Sequence, residues 1–271
     1  MTGKIPNITN EAYHASDPLS KSDLHLLSKS PAHFKYALDH KGDEHTSAMT
    51  FGTAFHAFAL EPGKFEQDYI VSPNIDRRTK AWKALAAEIA DSGKILISEY
   101  DMERIKAMAD SVLSNKYAAA LLSGEKEVSY FWTDSTTGID LKCRPDCRTD
   151  LGGVSVIVDL KTCNNADTDA FFRDCIKYGY DLQAAMYKRG VDLIEGKPHR
   201  FVFIAVEKDP PYAFNILEAD KLFIDKGTSD LVGYLDTVAK CTTTGNWYGY
   251  NGEDGSPNII YLPAWLAKEY E

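Results

Sequence analysis

No stretch of the 271-residue chain is apolar for long enough to span a bilayer, and the opening MTGKIPNITNEAYHASDP lacks the apolar core of an export signal. Both absences predict a cytoplasmic protein with no membrane partner. Linkers are missing too: no Pro-, Gly- or Ser-rich segment, fixed-period repeat or low-complexity tract interrupts the apolar periodicity, so one domain over 1–271 is expected. Cysteine is sparse. Cys143, Cys147, Cys163, Cys175 and Cys241 are odd in number and include no C-x-x-C pair, which predicts reduced, buried thiols. Cys143 and Cys147 lie too far apart on a strand for one tetrahedral ion, and no histidine accompanies them. Positive charge is also in deficit: 30 Lys and Arg face 40 Asp and Glu, a net charge of −10. Affinity for duplex nucleic acid rests on cations, so this balance excludes indiscriminate binding. Specific binding would need basic residues gathered on one surface, or a ring-shaped oligomer that encloses the strand. Arg77, Arg78, Lys80 and Lys83 form one candidate patch, Arg144 and Arg148 another.

What is present centres on Glu125 to Lys161, EKEVSYFWTDSTTGIDLKCRPDCRTDLGGVSVIVDLK. The stretch predicts three short strands with turns at TDSTTG and TDLGG, Glu127 opening the first. Side chains two apart on a strand share a face, so Asp159 and Lys161 emerge together while Val156, Val158 and Leu160 turn to the opposite layer. The preceding strand ends on Asp146, and a hairpin would bring this second carboxylate against Asp159. Two carboxylates that close repel unless a cation lies between them. A hard divalent ion held by Asp146 and Asp159, with Lys161 beside an attacking water, is what phosphodiester hydrolysis requires.

Pro145-Asp146, with Asp159 thirteen positions later and then Lys161, resembles the P-D…D-x-K core of the PD-(D/E)xK nuclease superfamily. Three further motifs narrow the likeness. GTAFH resembles the G-x-x-x-H motif that supplies a metal-ligating histidine in the RecB-like subgroup; without it, His56 among Phe51, Phe55, Phe58 and Ala59 reads as an ordinary core histidine. QAAMY, with Gln183 and Tyr187, resembles the subgroup's Q-x-x-x-Y motif, and LSKSDLHLLSKSPAHFKY is similar to its N-terminal motif. The ordered set, over about residues 13–217, is most similar to RecE-type (exonuclease VIII) nuclease domains and their phage relatives.

The resemblance implies an α/β fold: a restriction-endonuclease-like core with a mixed central β-sheet flanked by helices, and an N-terminal helical lobe. It also implies a Mg²⁺-dependent exonuclease that digests linear double-stranded DNA from its ends, 5′→3′, leaving 3′ single strands for recombination. A ring-like homo-oligomer (trimer or tetramer), a single-strand annealing partner of RecT type, and phage or prophage origin in a bacterial host belong to the same expectation. His56, Asp146, Asp159 and the Leu160 backbone carbonyl would hold one or two Mg²⁺ ions, with Glu127 as an additional acid and Glu125 as its rival. Lys161 would orient or help deprotonate the water. Gln183 and Tyr187, one helical turn apart, would bond the scissile strand or orient Lys161. Ser22, Lys29, Ser30, Arg77, Arg78 and Thr162 would contact DNA. Oxygen-rich ligands favour Mg²⁺, with Mn²⁺ as a substitute, over Zn²⁺. Cluster-bearing relatives place a cysteine before the N-terminal motif's proline; Ser30 precedes Pro31 here, so no iron–sulfur cluster is expected. Competing readings are an endonuclease or CRISPR-associated nuclease with the same site, and a nucleic-acid-binding protein that has lost activity. The mark of the last would be a missing ligand or lysine, and none is missing.

Elsewhere the periodicity predicts helices after the N-cap Ser20, over Gly52–Leu60, and at about 79–92, 99–122, 167–176, 180–194 and 220–240. Lys64–Pro73 reads as extended. Arg200–Glu207 and Tyr212–Leu217 read as strands, the first apolar enough to lie centrally. The expected organisation is a helical lobe carrying His56 over 1–122, a sheet core with the D…D-x-K and Q-x-x-x-Y motifs over 123–240, and an irregular tail over 241–271. Tyr248, Tyr250, Tyr261 and Trp265 in that tail would pack on their own domain or on a neighbouring subunit.

Overall fold

The computed structural model describes residues 2–40, 47–72, 75, 78–268 and 270. Its N-terminal part is mainly helical. β1 (Gly3–Ile5) is followed by α1 (Asn10–Ala15), α2 (Lys21–His25) and α3 (Pro31–Asp39). Ser20 starts α2 through a reciprocal capping box with Asp23, and Ser30 caps α3 ahead of Pro31. α4 (Ser47–Leu60) carries His56 and is followed at once by α5 (Pro62–Asp68), where an extended segment was expected. Pro62 at the first helical position favours that start, and the expected extension is confined to β2 (Tyr69–Ser72). Pro73 lies outside the described residues. α6 (Lys80–Ala90) leads to β3 (Ile95–Ser98), which pairs in parallel with β2. The helix expected to run to 122 is two, α7 (Glu99–Leu113) and α8 (Lys116–Leu121), because Asn115 caps a new start.

The central stretch forms five strands where three were expected: β4 (Glu125–Lys126), β5 (Ser129–Thr133), β6 (Asp140–Cys143), β7 (Cys147–Leu151) and β8 (Val154–Cys163). Each of the first two expected strands is broken. Glu127 adopts a left-handed backbone, φ 49°, between β4 and β5, and Arg144-Pro145-Asp146 separates β6 from β7. The breaks face one another, with the Glu127 amide donating to the Asp146 carbonyl at 3.3 Å. The hairpin thus leaves one sheet and enters another, and both carboxylates sit at the crossing.

α9 (Thr168–Tyr178), α10 (Tyr180–Glu195), β9 (Arg200–Glu207), β10 (Phe214–Glu218), α11 (Lys221–Thr244) and α12 (Ala264–Ala267) complete the chain. The main sheet has the order β10-β9-β8-β7-β4, with β8 and β9 parallel and the other pairs antiparallel; β1, β5 and β6 form a smaller antiparallel sheet. The fold is the expected mixed sheet flanked by helices, with apolar β9 inside it. Val156, Val158 and Leu160 of β8 enter a core with Phe55, Ile105 and Met108. Ile157 enters the opposite core with Trp132, Leu182 and Met186. Both faces of β8 are therefore covered, and each buried side chain of this size contributes roughly 1.5–3 kcal/mol.

α10 lies unusually close to its neighbours. A Cβ on Gly190 would fall 2.4 Å from the Trp132 ring, and one on Gly227 of α11 would fall 2.0 Å from the Asp181 carbonyl oxygen. Gly190 thus sets how closely the Gln183 helix meets β5, and Gly227 how closely α11 packs on that helix.

The five cysteines are free and buried. In the tail, the Tyr248 carbonyl accepts from the Ala32 amide at 3.0 Å, Trp247 stacks on Phe34 and Tyr250 lies against His33, so its first half packs on its own chain. Tyr261 and Trp265 are exposed. No helix among the described residues is long and apolar enough to cross a membrane.

Candidate active site

Four elements converge at the crossing of the sheets. α4 brings His56, the break after β4 brings Glu127, the residue before β7 is Asp146, and β8 presents Asp159 and Lys161. Asp146 therefore lies in the break just ahead of β7, the strand paired with β8, and not at the end of a strand as expected; Pro145, which has no N–H to give the ladder, marks the break. The Leu160 amide donates to Asp146 Oδ2 at 2.6 Å. The N–H and C=O of one strand residue leave the strand on the same side, so the Leu160 carbonyl also faces the Asp146 side.

His56 Nδ1 lies 3.4 Å from Asp146 Oδ1. One donor atom each from His56, Glu127 and Asp146 lie within 4.8 Å of one another, the spread of a shared cation. Glu125, the rival acid, instead pairs with Lys4 at 2.6 Å. Asp159 is only 1% exposed; its Oδ1 meets the Lys161 ammonium but is met by no well-directed hydrogen bond, and its Oδ2 accepts from the Gln183 amide. Asp159 is not one of the three clustered donors.

The electrostatics are those of a site short of positive charge. Burial first, and then the Asp146 charge, push Glu127 up to about 8; burial with Asp146 pushes Asp159 up to about 6 against the pull of Lys161. Burial also acts against ionised His56 and Lys161, but Asp146 outweighs it at His56, and Asp159 with Asp146 at Lys161, so both sit above their ordinary values. Asp146 is held low because His56, Lys161 and the Leu160 amide together exceed its burial penalty. The upward shifts at Glu127 and His56 reflect the unbalanced negative charge of the cluster, which a divalent ion would offset. Three clustered donors, a buried Asp159 oxygen without a directed donor and predominantly oxygen ligands fit a hard cation.

A cavity of about 420 Å³ opens onto His56, Glu127 and Asp146, with Tyr13, Tyr187 and Glu61 also on its wall. Asp159, Lys161 and Gln183 do not line it. Gln183 and Tyr187 share a face of α10 as their spacing predicts, Gln183 meeting Asp159 and Tyr187 reaching the cavity. The sequence reading missed Tyr180, on the same face three residues before Gln183, whose ring lies 4.9 Å from Lys161 Nζ. Its position in the same helical stripe was the available signal.

The expected DNA contacts fare unequally. Ser30 is buried and occupied as a helix cap, with Oγ accepting from the His33 amide and lying 2.7 Å from His33 Nδ1. Ser22, Lys29 and Arg78 are exposed, Thr162 is half-buried on β8 beside Gly52, and Arg77 lies outside the described residues. The Arg144 and Arg148 patch does not exist as a surface. Arg144 bonds Ser129, Asn10 and the Ile8 carbonyl under the Tyr13 ring, while Arg148 pairs with Asp150 and Glu195, each at 2.6 Å. Alternation along a strand cannot distinguish an outward cation from one that a second sheet covers.

A mixed sheet with an acidic strand pair, an adjacent D-x-K and a helical histidine defines a class. The chain belongs to the family described as "PDDEXK-like domain of unknown function (DUF3799)", whose model matches residues 20–254. Among solved structures it is similar to the crystal structure of a "Putative exonuclease" from Eubacterium rectale: TM-score 0.62, 15% identity, 97% of this chain and 98% of that one covered. A second, SSO0001, has a TM-score of 0.30 at 15% identity, covering 77% of this chain and 84% of that one. No curated protein matches.

Proposed function

We propose that the chain is a divalent-cation-dependent nuclease that hydrolyses phosphodiester bonds of DNA. The observation that carries this reading is the meeting of the His56, Glu127 and Asp146 donors within 4.8 Å beside an Asp159–Lys161 pair that Gln183 holds from a separate helix. His56, Glu127, Asp146, Asp159 and the Leu160 carbonyl are assigned to the cation, which when bound polarises the phosphoryl oxygen and lowers the pKa of water. Lys161 is kept charged by two carboxylates, so its part is to donate to an oxygen that gains charge in the transition state. Gln183 fixes Asp159, and Tyr187 presents a phenol to the substrate cavity. Mg²⁺ is the assigned ion, with Mn²⁺ able to replace it.

The finer reading is an exonuclease on linear duplex, 5′→3′, leaving 3′ strands for an annealing protein of RecT type and working as a ring-like oligomer in the host cytoplasm. Its support is the RecE-type likeness of the motifs, together with the similarity to a protein described as a putative exonuclease. The test is end-labelled linear duplex, beside covalently closed DNA of the same sequence, in Mg²⁺ and then in chelator. Loss of the 5′ label from linear DNA alone is expected. Cutting of the closed form would replace this by the endonuclease reading, and no cleavage of either would overturn both.

A further inference from the structure

Lys21 belongs neither to the His56, Glu127 and Asp146 cluster nor to the Asp159–Lys161 pair. It is the first residue of α2, placed by the Ser20–Asp23 capping box, and its ammonium donates to the Tyr178 carbonyl at the end of α9. It also lies 5.5 Å from the centre of the Tyr180 ring, the same ring that Lys161 approaches at 4.9 Å. Two ammonium groups, from opposite ends of the motif set, thus meet on one aromatic side chain at the edge of the site.

Their partners differ. Lys161 has Asp159, whereas no carboxylate among the described residues is in ion-pair contact with Lys21. An ammonium has three donors. Buried Lys142 spends three, on the Tyr13 carbonyl at 2.7 Å, the Ser16 carbonyl at 2.8 Å and Ser16 Oγ at 3.0 Å. Lys226 meets two carboxylates, Asp181 and Asp230. Among the described residues Lys21 spends one donor, on a neutral acceptor. Burial, and then Lys161, push its pKa down to about 8, and the charges of Asp159 and Asp181 do not restore it. A fixed cation that is repelled by its neighbour and lacks a counter-ion is completed by an anion from outside.

We propose that Lys21, seated on Tyr180, holds a phosphate oxygen of the DNA strand next to the phosphoryl group that Lys161 serves, and so positions the strand for hydrolysis. This rests on the nuclease reading. The anion is a phosphate oxygen, from an internal diester or from a terminal monoester at the 5′ end.

The test compares the wild-type chain with Lys21→Met, which keeps the apolar stem over the ring, and Lys21→Arg, which keeps the charge. Each is given the same linear duplex with a 5′ phosphate or a 5′ hydroxyl. Turnover is followed in Mg²⁺, and binding by fluorescence anisotropy in Ca²⁺ at several salt concentrations. Lys21→Met is expected to raise KM and Kd about tenfold, more than it lowers kcat, and to reduce the slope of log Kd against log salt by about one, while Lys21→Arg restores the slope. A loss confined to the 5′-phosphate duplex identifies the monoester, and an equal loss on both identifies the diester. Unchanged KM, Kd and slope in Lys21→Met, beside a wild-type chain that digests DNA, would overturn the proposal and leave the nuclease reading intact. A wild-type chain that cuts neither duplex would sink the nuclease reading; an unchanged slope, or no binding at all, would then dispose of Lys21 as well.

Discussion

The Leu160 amide donates to Asp146 Oδ2 at 2.6 Å, so the strand that carries Asp159 and Lys161 also aims the other aspartate. Asp146 Oδ1 remains for His56 and, on the proposed reading, for a cation. Asp146→Asn keeps an acceptor for the amide but loses the charge, whereas Asp146→Ala loses both. Both variants are expected to lower cleavage at least 100-fold. Only alanine should also destabilise the fold, by about 1–3 kcal/mol for the buried amide left unpaired. Cleavage assays and urea melts of the pair check this.

Glu127 holds its proton up to about 8, against an ordinary 4.5. In the metal-free chain the folded form therefore carries more protons than the unfolded form between these values, and stability falls as pH rises through that window. Glu127→Gln has no proton to lose. Its melting temperature in chelator should gain on the wild type from pH 5 to 8 and hold level above. On the proposed assignment of Glu127 to the cation, binding displaces the same proton, so affinity should rise with pH until about 8, with proton release measurable by calorimetry in buffers of different ionisation enthalpy.

Gly227 and Gly233 both lie in α11, but a Cβ at 227 falls 2.0 Å from the Asp181 carbonyl oxygen while one at 233 meets nothing within 4 Å. Gly227→Ala is expected to cost about 1–3 kcal/mol, and to lower turnover by moving Gln183 away from Asp159. Gly233→Ala should be neutral or stabilising by up to about 1 kcal/mol. Thermal melts and initial rates distinguish the two.

Arg148 pairs with Glu195, which also takes the Tyr130 hydroxyl at 2.7 Å and lies 3.2 Å from His199. Removing the guanidinium leaves this mostly buried carboxylate to Lys4, at the longer distance of 3.4 Å. Arg148→Ala should destabilise the fold by about 3 kcal/mol and leave the salt slope of DNA binding unchanged. A reduced slope would return Arg148 to the binding surface.

The part of the sheet core after β8 was legible because strand and helix periods run uninterrupted there: β9 falls at Arg200–Glu207 as expected, and His56, Asp146, Asp159, Lys161 and Gln183 sit in motifs whose order survives any loop length. What failed was local. Glu127 reads as strand in a run of strand-formers, yet tertiary context turns its backbone left-handed, and that turn is what brings its carboxylate to Asp146. Arg144 alternates as a surface cation would, but α1 and Tyr13 cover it. Lys21 stands out only in the structure, since its lack of an ion-paired carboxylate among the described residues is a property of what surrounds it.

The convergence of an imidazole and acids on one cation is tested most directly by Mn²⁺ titration of the metal-free chain, followed by the electron-paramagnetic resonance of the free ion. Saturable binding is expected, weakened roughly 10- to 100-fold in Asp146→Asn and His56→Ala and not weakened in Lys161→Ala. Equal Mn²⁺ uptake by wild type and Asp146→Asn, or no uptake by the wild type, would contradict the account.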